Sequence, residues 1–285
     1  MLPIERKDII RDMVYEKKTV SVLELSEYFG VSPETIRRDI SALDSEGILT
    51  KTYGGAKFKT QVSKKIPTKS LLHIMSQRKN AMAYEASKYI QQNDCIFMGY
   101  STTVLALCSH IPDMPLTIVT NSLPVIQFFA EYKSVRLENI GGTYISSYDA
   151  FSSFHAIESL ERYSFDKAFL SCQAVDFGRG MCDQNDMICG LQQKVLEVSN
   201  QVYLIADNSK INQRAFLSYG DLSKISELIT DAVPSIDVQQ QLLSLKIPYT
   251  VANIPAQESA EVKYEEKSQE TLPQETPSIE QEADH

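Results

Sequence analysis

The chain has 285 residues and a formal net charge of -9, a length for about two domains and a charge that, taken whole, argues against a nucleic-acid partner. A hydrophobic content of 43% suits a globular chain with a core, no apolar run approaches the ~20 residues of a membrane span, and the charged start MLPIERKDII lacks the apolar centre of a signal peptide. Five cysteines without a CxxC pair, beside four histidines, carry no zinc signature, so the expectation is a reducing cytoplasm with no membrane partner, no metal and no cofactor.

Ile9, Ile10, Met13 and Val14 form one stripe of a first helix. Ser21, three residues before Glu24, is a capping-box start for a second helix, with Leu25, Tyr28 and Phe29 as its apolar side and Gly30 at its end. Ser32-Pro33 then opens a third, an N-cap followed by proline at the first helical position. Along that helix Ile36, Ile40 and Leu43 share one face, Glu34, Arg38 and Ser41 lie opposite, and Thr35 and Arg37 flank them. Two short helices across a tight Gly turn make a helix-turn-helix, and residues 48–58 read as a hairpin wing carrying cations. The geometry of such a motif puts the third helix in a major groove and the wing on the backbone. The candidate DNA contacts are therefore Ser32, Glu34, Thr35, Arg37, Arg38, Ser41, Lys51, Tyr53 and Lys57. On the residues alone the charged face fits either solvent or DNA. Asp39 sits nearer the apolar face and reads as an intradomain cap or ion-pair partner, not a DNA contact.

Charge resolved along the chain supports this. Residues 1–65 carry net +2, residues 66–255 net -4 and residues 256–285 net -7. Between Glu46 and Glu85 stand eight cations and no anion, a window that begins at the wing.

This segment resembles the DNA-binding domain of the DeoR/GlpR family of bacterial transcription regulators. The carriers are Arg6, Ile10 and Val14, then Ser32-Pro33-Glu34-Thr35-Ile36-Arg37-Arg38-Asp39-Ile40, then Leu43, Gly47 and Tyr53-Gly54-Gly55-Ala56. The resemblance implies operator DNA as a partner.

Past a Lys-, Ser- and Thr-rich stretch containing Pro67, the pattern alternates. Helices are expected at 78–92, 103–110, 123–131, 150–161 and 188–199, and strands at 95–98, 116–120, 135–140, 166–171, 201–206 and 225–231. Short β-branched runs separated by helices predict a mostly parallel sheet covered on both faces, with its ligand crevice at the strands' carboxyl ends. The small polar residues collected there are the candidate effector contacts: Ser101, Thr102, Thr103, Thr120, Asn121, Gly141 and Gly142, with Asp183 and Lys210. The first of these loops runs straight into a helix, so hydroxyls and free backbone N–H groups would cradle a phosphate, and Lys210 would add a full charge. Gly, Ser, Thr and Asn are equally what βα loops are made of.

Residues 78–232 resemble the DeoR-family sensor domain, related in fold to ribose-5-phosphate isomerase, glucosamine-6-phosphate deaminase and CoA transferases. The carriers are Ser101-Thr102-Thr103, Val119-Thr120-Asn121-Ser122, Gly141-Gly142, Asp166-Lys167-Ala168-Phe169, Asp207-Asn208-Ser209-Lys210 and Ile229-Thr230-Asp231. The resemblance implies a Rossmann-like α/β domain that binds a phosphorylated sugar or related metabolite and relieves DNA binding. This chain departs from the family pattern at several points. Gly99-Tyr100-Ser101 stands where Asp-Ser-Gly is usual, Ile188 and Gln192 stand for a Glu and a Lys, and glycines are missing near Ser171-Cys172-Gln173-Ala174. Either the effector is atypical, or the pocket has partly lost ligand binding and the domain serves oligomerisation.

The expected organisation is a winged helix-turn-helix at 1–58, a linker at 59–76, an α/β effector-sensing and oligomerisation domain at 77–254 and a disordered acidic tail at 255–285. A single reader gives limited affinity, so a homo-oligomer, dimer or tetramer, is expected on repeated half-sites. The expected function is a regulator, a repressor, of a sugar-metabolism operon. A sugar-phosphate isomerase-like enzyme is the rival, with Asp183, Asp207 and His155 as its only acid–base candidates; no GxSxG, HExxH or P-loop motif is present.

Overall fold

In the N-terminal part, α1 (Pro3–Lys17), α2 (Val22–Phe29) and α3 (Pro33–Ser45) pack with a small antiparallel sheet of β1 (Thr19–Ser21), β2 (Leu49–Thr52) and β3 (Gly55–Phe58). The computed structural model describes residues 1–45, 49–58 and 76–254, so the expected linker, apart from Ser76, and the expected tail lie outside the described residues. The capping box forms: Glu24 N–H donates to Ser21 Oγ at 3.0 Å, and Ser21 N–H to the Glu24 carboxylate at 3.5 Å. Ile10, Val14, Leu25, Ile36, Ile40, Leu43, Leu49 and Phe58 make one buried core, which fixes α3 by the stripe its sequence spells out. Gly55 lets β3 cross close to β1, since a Cβ there would fall 1.9 Å from the Val20 carbonyl oxygen.

The second part is built on seven parallel strands in the order β15-β14-β12-β9-β4-β5-β6. Its elements are α4 (Ser76–Ser87), β4 (Cys95–Met98), α5 (Thr102–Cys108), β5 (Leu116–Thr120), α6 (Leu123–Phe129), β6 (Val135–Asn139), β7 (Thr143–Ile145), β8 (Ala150–Ser152), α7 (Phe154–Ser159), β9 (Phe165–Leu170), β10 (Ala174–Asp176), β11 (Gly180–Asp183), α8 (Asp186–Val198), β12 (Ser199–Ile205), β13 (Leu217–Gly220), β14 (Glu227–Thr230), α9 (Ile236–Ser244) and β15 (Tyr249–Val251). Alternate residues of each strand face opposite layers. Ile96, Met98, Ile118 and Ile205 bury against α4, α5 and α6. Phe97, Leu170, Val202 and Leu204 bury against α7, α8 and α9. The fold is thus a mixed α/β chain, a winged helix-turn-helix followed by a parallel sheet covered on both faces.

Two differences from the sequence reading matter for the site. The expected helix at 150–161 starts only at Phe154, because Ser153 caps it through Ala156 N–H and residues 150–152 pair with Thr143–Ile145 as a hairpin. A second, three-stranded antiparallel sheet, β10-β11-β13, rises beside the main one and carries Asp183.

Candidate functional site

The outer face of α3 stands in solvent. Ser32, Glu34, Arg37, Arg38 and Ser41 are exposed and Thr35 is half-buried. Ser32 caps the helix, its Oγ accepting from Thr35 N–H at 3.3 Å and lying 3.0 Å from Thr35 Oγ1. Arg37 Nη1 donates to Glu34 at 3.3 Å, so that acid holds the guanidinium along the helix surface. Arg38 has no ion-pair partner among the described residues. Lys51 of β2 donates to Ser41 Oγ at 3.0 Å, tying the wing to α3, while Lys57 is exposed and the hairpin-tip Tyr53 stands fully in solvent. Asp39 is turned inward: with 7% of its surface exposed, it accepts from Arg6 Nε of α1 at 2.6 Å. The reader therefore presents a polar, cation-bearing face beside a cationic wing, supported from behind by a buried ion pair.

The second site follows from topology. From β4 the chain runs outward through β5 to β6, then returns to β9 on the other side of β4. This reversal opens a crevice at the carboxyl ends of β4 and β9. Ser101, Thr102 and Thr103 follow β4, Thr120 and Asn121 end β5, Ser171 follows β9, and Asp207 and Lys210 follow β12. These ends lie side by side in the sheet. Gly141 and Gly142 follow the edge strand β6; a Cβ on Gly142, at φ +108°, would meet the Ser152 backbone at 2.7 Å. That glycine is thereby accounted for by packing.

Several hydroxyls are already engaged. Ser101 Oγ caps α5 through Val104 N–H at 3.0 Å, and Thr120 Oγ1 donates to the Met98 carbonyl at 2.6 Å while accepting from Ser122 N–H at 3.0 Å. Asn121 donates to the Phe151 carbonyl at 3.2 Å. In contrast, the buried Thr103 Oγ1 and Asn121 Oδ1 have no hydrogen-bond partner among the described residues, an arrangement that costs about 1–3 kcal/mol for each such atom.

Charge gathers at the β12 end. Lys210 Nζ lies 3.0 Å from Ser171 Oγ and 3.7 Å from Asp207 Oδ2. Lys79 of α4 is buried in the same field; burial first, and then the Lys210 charge, push its ammonium down to about 7 against the opposing pull of Asp207 and Asp12. Arg78 donates to Asp231 at 3.1 Å, and Asp231 accepts from Asn208 N–H at 2.6 Å. Tyr15 of α1 lies beside Asp207 and Ser209, so the loop carrying Lys210 meets the reader's first helix.

Asp183 enters from the smaller sheet and is wholly buried. Its carboxylate accepts from Tyr100 Oη, from Tyr148 Oη at 2.7 Å and from Gln184 N–H at 2.7 Å. Sequence reasoning did not find Tyr148 or Lys79 as site residues. Lys79 was visible only as one of the cations between Glu46 and Glu85, and Tyr148 lies in a hairpin that the pattern hid. Tyr100 was marked only as a departure from the family loop. His155, whose side chain is 97% exposed, stands at the surface beside Glu158. Among the described residues no group of three or more His, Cys, Asp or Glu is placed to hold a metal, and no helix is long and apolar enough to cross a membrane.

Comparison with known proteins matches both halves. Residues 6–62 fit the model of the DeoR-like helix-turn-helix domain and residues 74–232 that of the DeoR C terminal sensor domain. The HTH-type transcriptional regulator YulB of Bacillus subtilis is 34% identical over 81% of this chain and 90% of its own length. The lactose phosphotransferase system repressor of Staphylococcus aureus is 34% identical over 80% of this chain and 91% of its own, and the L-fucose operon activator of Haemophilus influenzae 31% over 79% and 91%. Among solved structures, ribose 5-phosphate isomerase A from Methanocaldococcus jannaschii aligns with a TM-score of 0.36 at 15% identity, over 48% of this chain and 54% of its own. With a family model covering more than half its length and relatives matched nearly end to end, the chain belongs to the DeoR family of DNA-binding transcription regulators.

Proposed function

We propose that this regulator is a cytoplasmic repressor of a carbohydrate operon, released by a phosphorylated sugar or related small metabolite bound in the crevice between β4 and β9. The observation that carries the reading is the pair of lysines at that crevice: Lys79, held near 7 first by burial and then by the Lys210 charge, lies in the field of Lys210, and a phosphate dianion there offsets both the buried charge and the repulsion. Ser101, Thr102, Thr103, Asn121 and the Gly141-Gly142 turn supply the surrounding polar groups. The operon class rests on relatives named for lactose and L-fucose systems. Because Tyr15 of α1 lies beside Asp207 and Ser209, a ligand that draws Lys210 away from Asp207 shifts the surroundings of the reader's first helix.

On DNA, Arg38 reads a base edge, Arg37 and Thr35 contact bases or phosphates, and Ser32, Glu34 and Ser41 line the same groove; Lys51, Tyr53 and Lys57 hold the backbone. The chain acts as a dimer or tetramer on repeated half-sites. Catalysis is not part of this proposal: Asp183 is closed off by two phenols, and Asp207 already accepts from Ser209 N–H at 3.1 Å and from its hydroxyl. The test is a gel shift of the full chain on its operator with a panel of phosphorylated metabolites. Release by one of them at sub-millimolar concentration is the expected result; retention with every member overturns the reading.

A further inference from the structure

The cluster around Asp183 is unusual for a metabolite crevice. A fully buried carboxylate is held by three donors, two of them phenols from segments 35 and 83 residues away. Tyr100 and Tyr148 are themselves buried, with ring centroids 5.2 Å apart at 67°, and they rest on Ile188 and Ala150 in one apolar cluster. Burial and the Asp183 charge push both phenols up, so they remain donors at any physiological pH. Tyr100 lies in the loop after β4, one residue before Ser101, and β4 pairs with β9, whose following Ser171 meets Lys210 Nζ at 3.0 Å, so the cluster adjoins the lysine end. A ligand entering at Lys210 and extending toward Asp183 meets two rings and an acid that already accepts three hydrogen bonds.

We propose that Tyr100 and Tyr148 form a cap that closes the Asp183 end of the crevice and restricts the effector to phosphate esters more compact than a pentose or hexose phosphate. The inference rests on the effector reading of this crevice and deepens it. Pentose and hexose phosphates need acceptors for several hydroxyls beyond the phosphate, but of the buried carboxylates there Asp207 is tied to Ser209 and Lys210, and Asp183 already accepts from two phenols and Gln184 N–H, three of a carboxylate's roughly four lone-pair sites. Removing the Tyr100 ring returns one carboxylate oxygen and the volume of an aromatic side chain to the crevice.

The test is calorimetric titration of the full chain, wild type and Tyr100→Ser, with glycerol 3-phosphate, ribose 5-phosphate and glucose 6-phosphate. Tyr148→Ser serves as the second variant if the first fails to fold. Wild type is expected to bind the three-carbon ester at least tenfold more tightly than either sugar phosphate. The variant is expected to narrow that ratio at least tenfold by gaining affinity for the larger ligands. Equal wild-type affinity for glucose 6-phosphate, or an unchanged ratio in both variants, overturns the cap while leaving the crevice an effector site. Binding of no phosphate ester by wild type or by either variant overturns the effector reading itself, and the cap with it.

Discussion

Replacing Asp39 by alanine should destroy DNA binding by unfolding the reader, although Asp39 lies in the middle of the helix that faces DNA. Arg6 and Asp39 are 8% and 7% exposed and meet at 2.6 Å across the packing of α1 on α3. Removing one partner of such a pair strands the other charge in the core, at a cost of about 3–5 kcal/mol. Whole domains have only about 5–15 kcal/mol to lose, and one this small sits toward the low end. Urea denaturation followed by far-ultraviolet circular dichroism is the assay, since the chain has no tryptophan to report folding by fluorescence. The reader's transition should move to much lower urea. The double variant Arg6→Met with Asp39→Leu should recover most of the loss, because an apolar pair of similar volume replaces a buried ion pair at little cost. An Asp39→Ala protein that keeps the wild-type midpoint yet fails to bind operator would refute the reasoning and make Asp39 a contact residue.

Other expectations follow from the same geometry. Arg38→Ala should weaken operator binding by about 1–3 kcal/mol and relax preference at one base position in an anisotropy titration, whereas an unchanged affinity in the folded variant removes Arg38 from base readout. Lys57→Ala should weaken specific and random DNA alike and lower the salt slope by about one; a sequence-dependent loss contradicts its role as a backbone contact. Lys79 titrates near 7 in the folded chain against 10.5 as its ordinary value. Between those values the unfolded chain holds the extra proton, so this group makes stability rise with pH across that window, by at most about 1.4 kcal/mol per pH unit. Below pH 7, where both states are protonated, the slope vanishes and the cost of burying the charged lysine is at its full value. Lys79→Met should flatten that rise in urea titrations at pH 7 and 9, and an unaltered rise contradicts the burial argument. Phosphate-ester binding at pH 8 should take up a proton at Lys79, read as a buffer-dependent heat in calorimetry; a heat independent of buffer ionisation counts against phosphate lying beside it.

The reader was legible because its signals are local. The Ser21–Glu24 capping box, the Ser32-Pro33 start and the Ile36, Ile40, Leu43 stripe each act within one or two helical turns, and the same helical phase places Asp39 near the apolar face, where Arg6 meets it. The parallel sheet was legible because β-branched runs alternate with helices. The smaller elements were not. Strands β7, β8, β10, β11 and β13 are three or four residues long, and they hold their form by pairing across the chain, not by a pattern of their own. The crevice shows the same divide. Its strand-end hydroxyls follow from where βα loops must fall, but the Tyr100–Asp183–Tyr148 cluster joins residues 83 and 35 positions apart. No periodicity within a segment reports such a contact. Lys79 falls in the expected helix at 78–92, but nothing in the sequence distinguishes it from the other cations between Glu46 and Glu85; its burial comes from the packing of α4.

The measurement closest to the central claim is the affinity of the full chain for a duplex selected from a random pool, against a scrambled duplex of equal length and at one fixed salt concentration. A sequence-reading regulator is predicted to prefer the selected duplex by about a thousandfold or more. Equal affinity for the two duplexes would contradict the account.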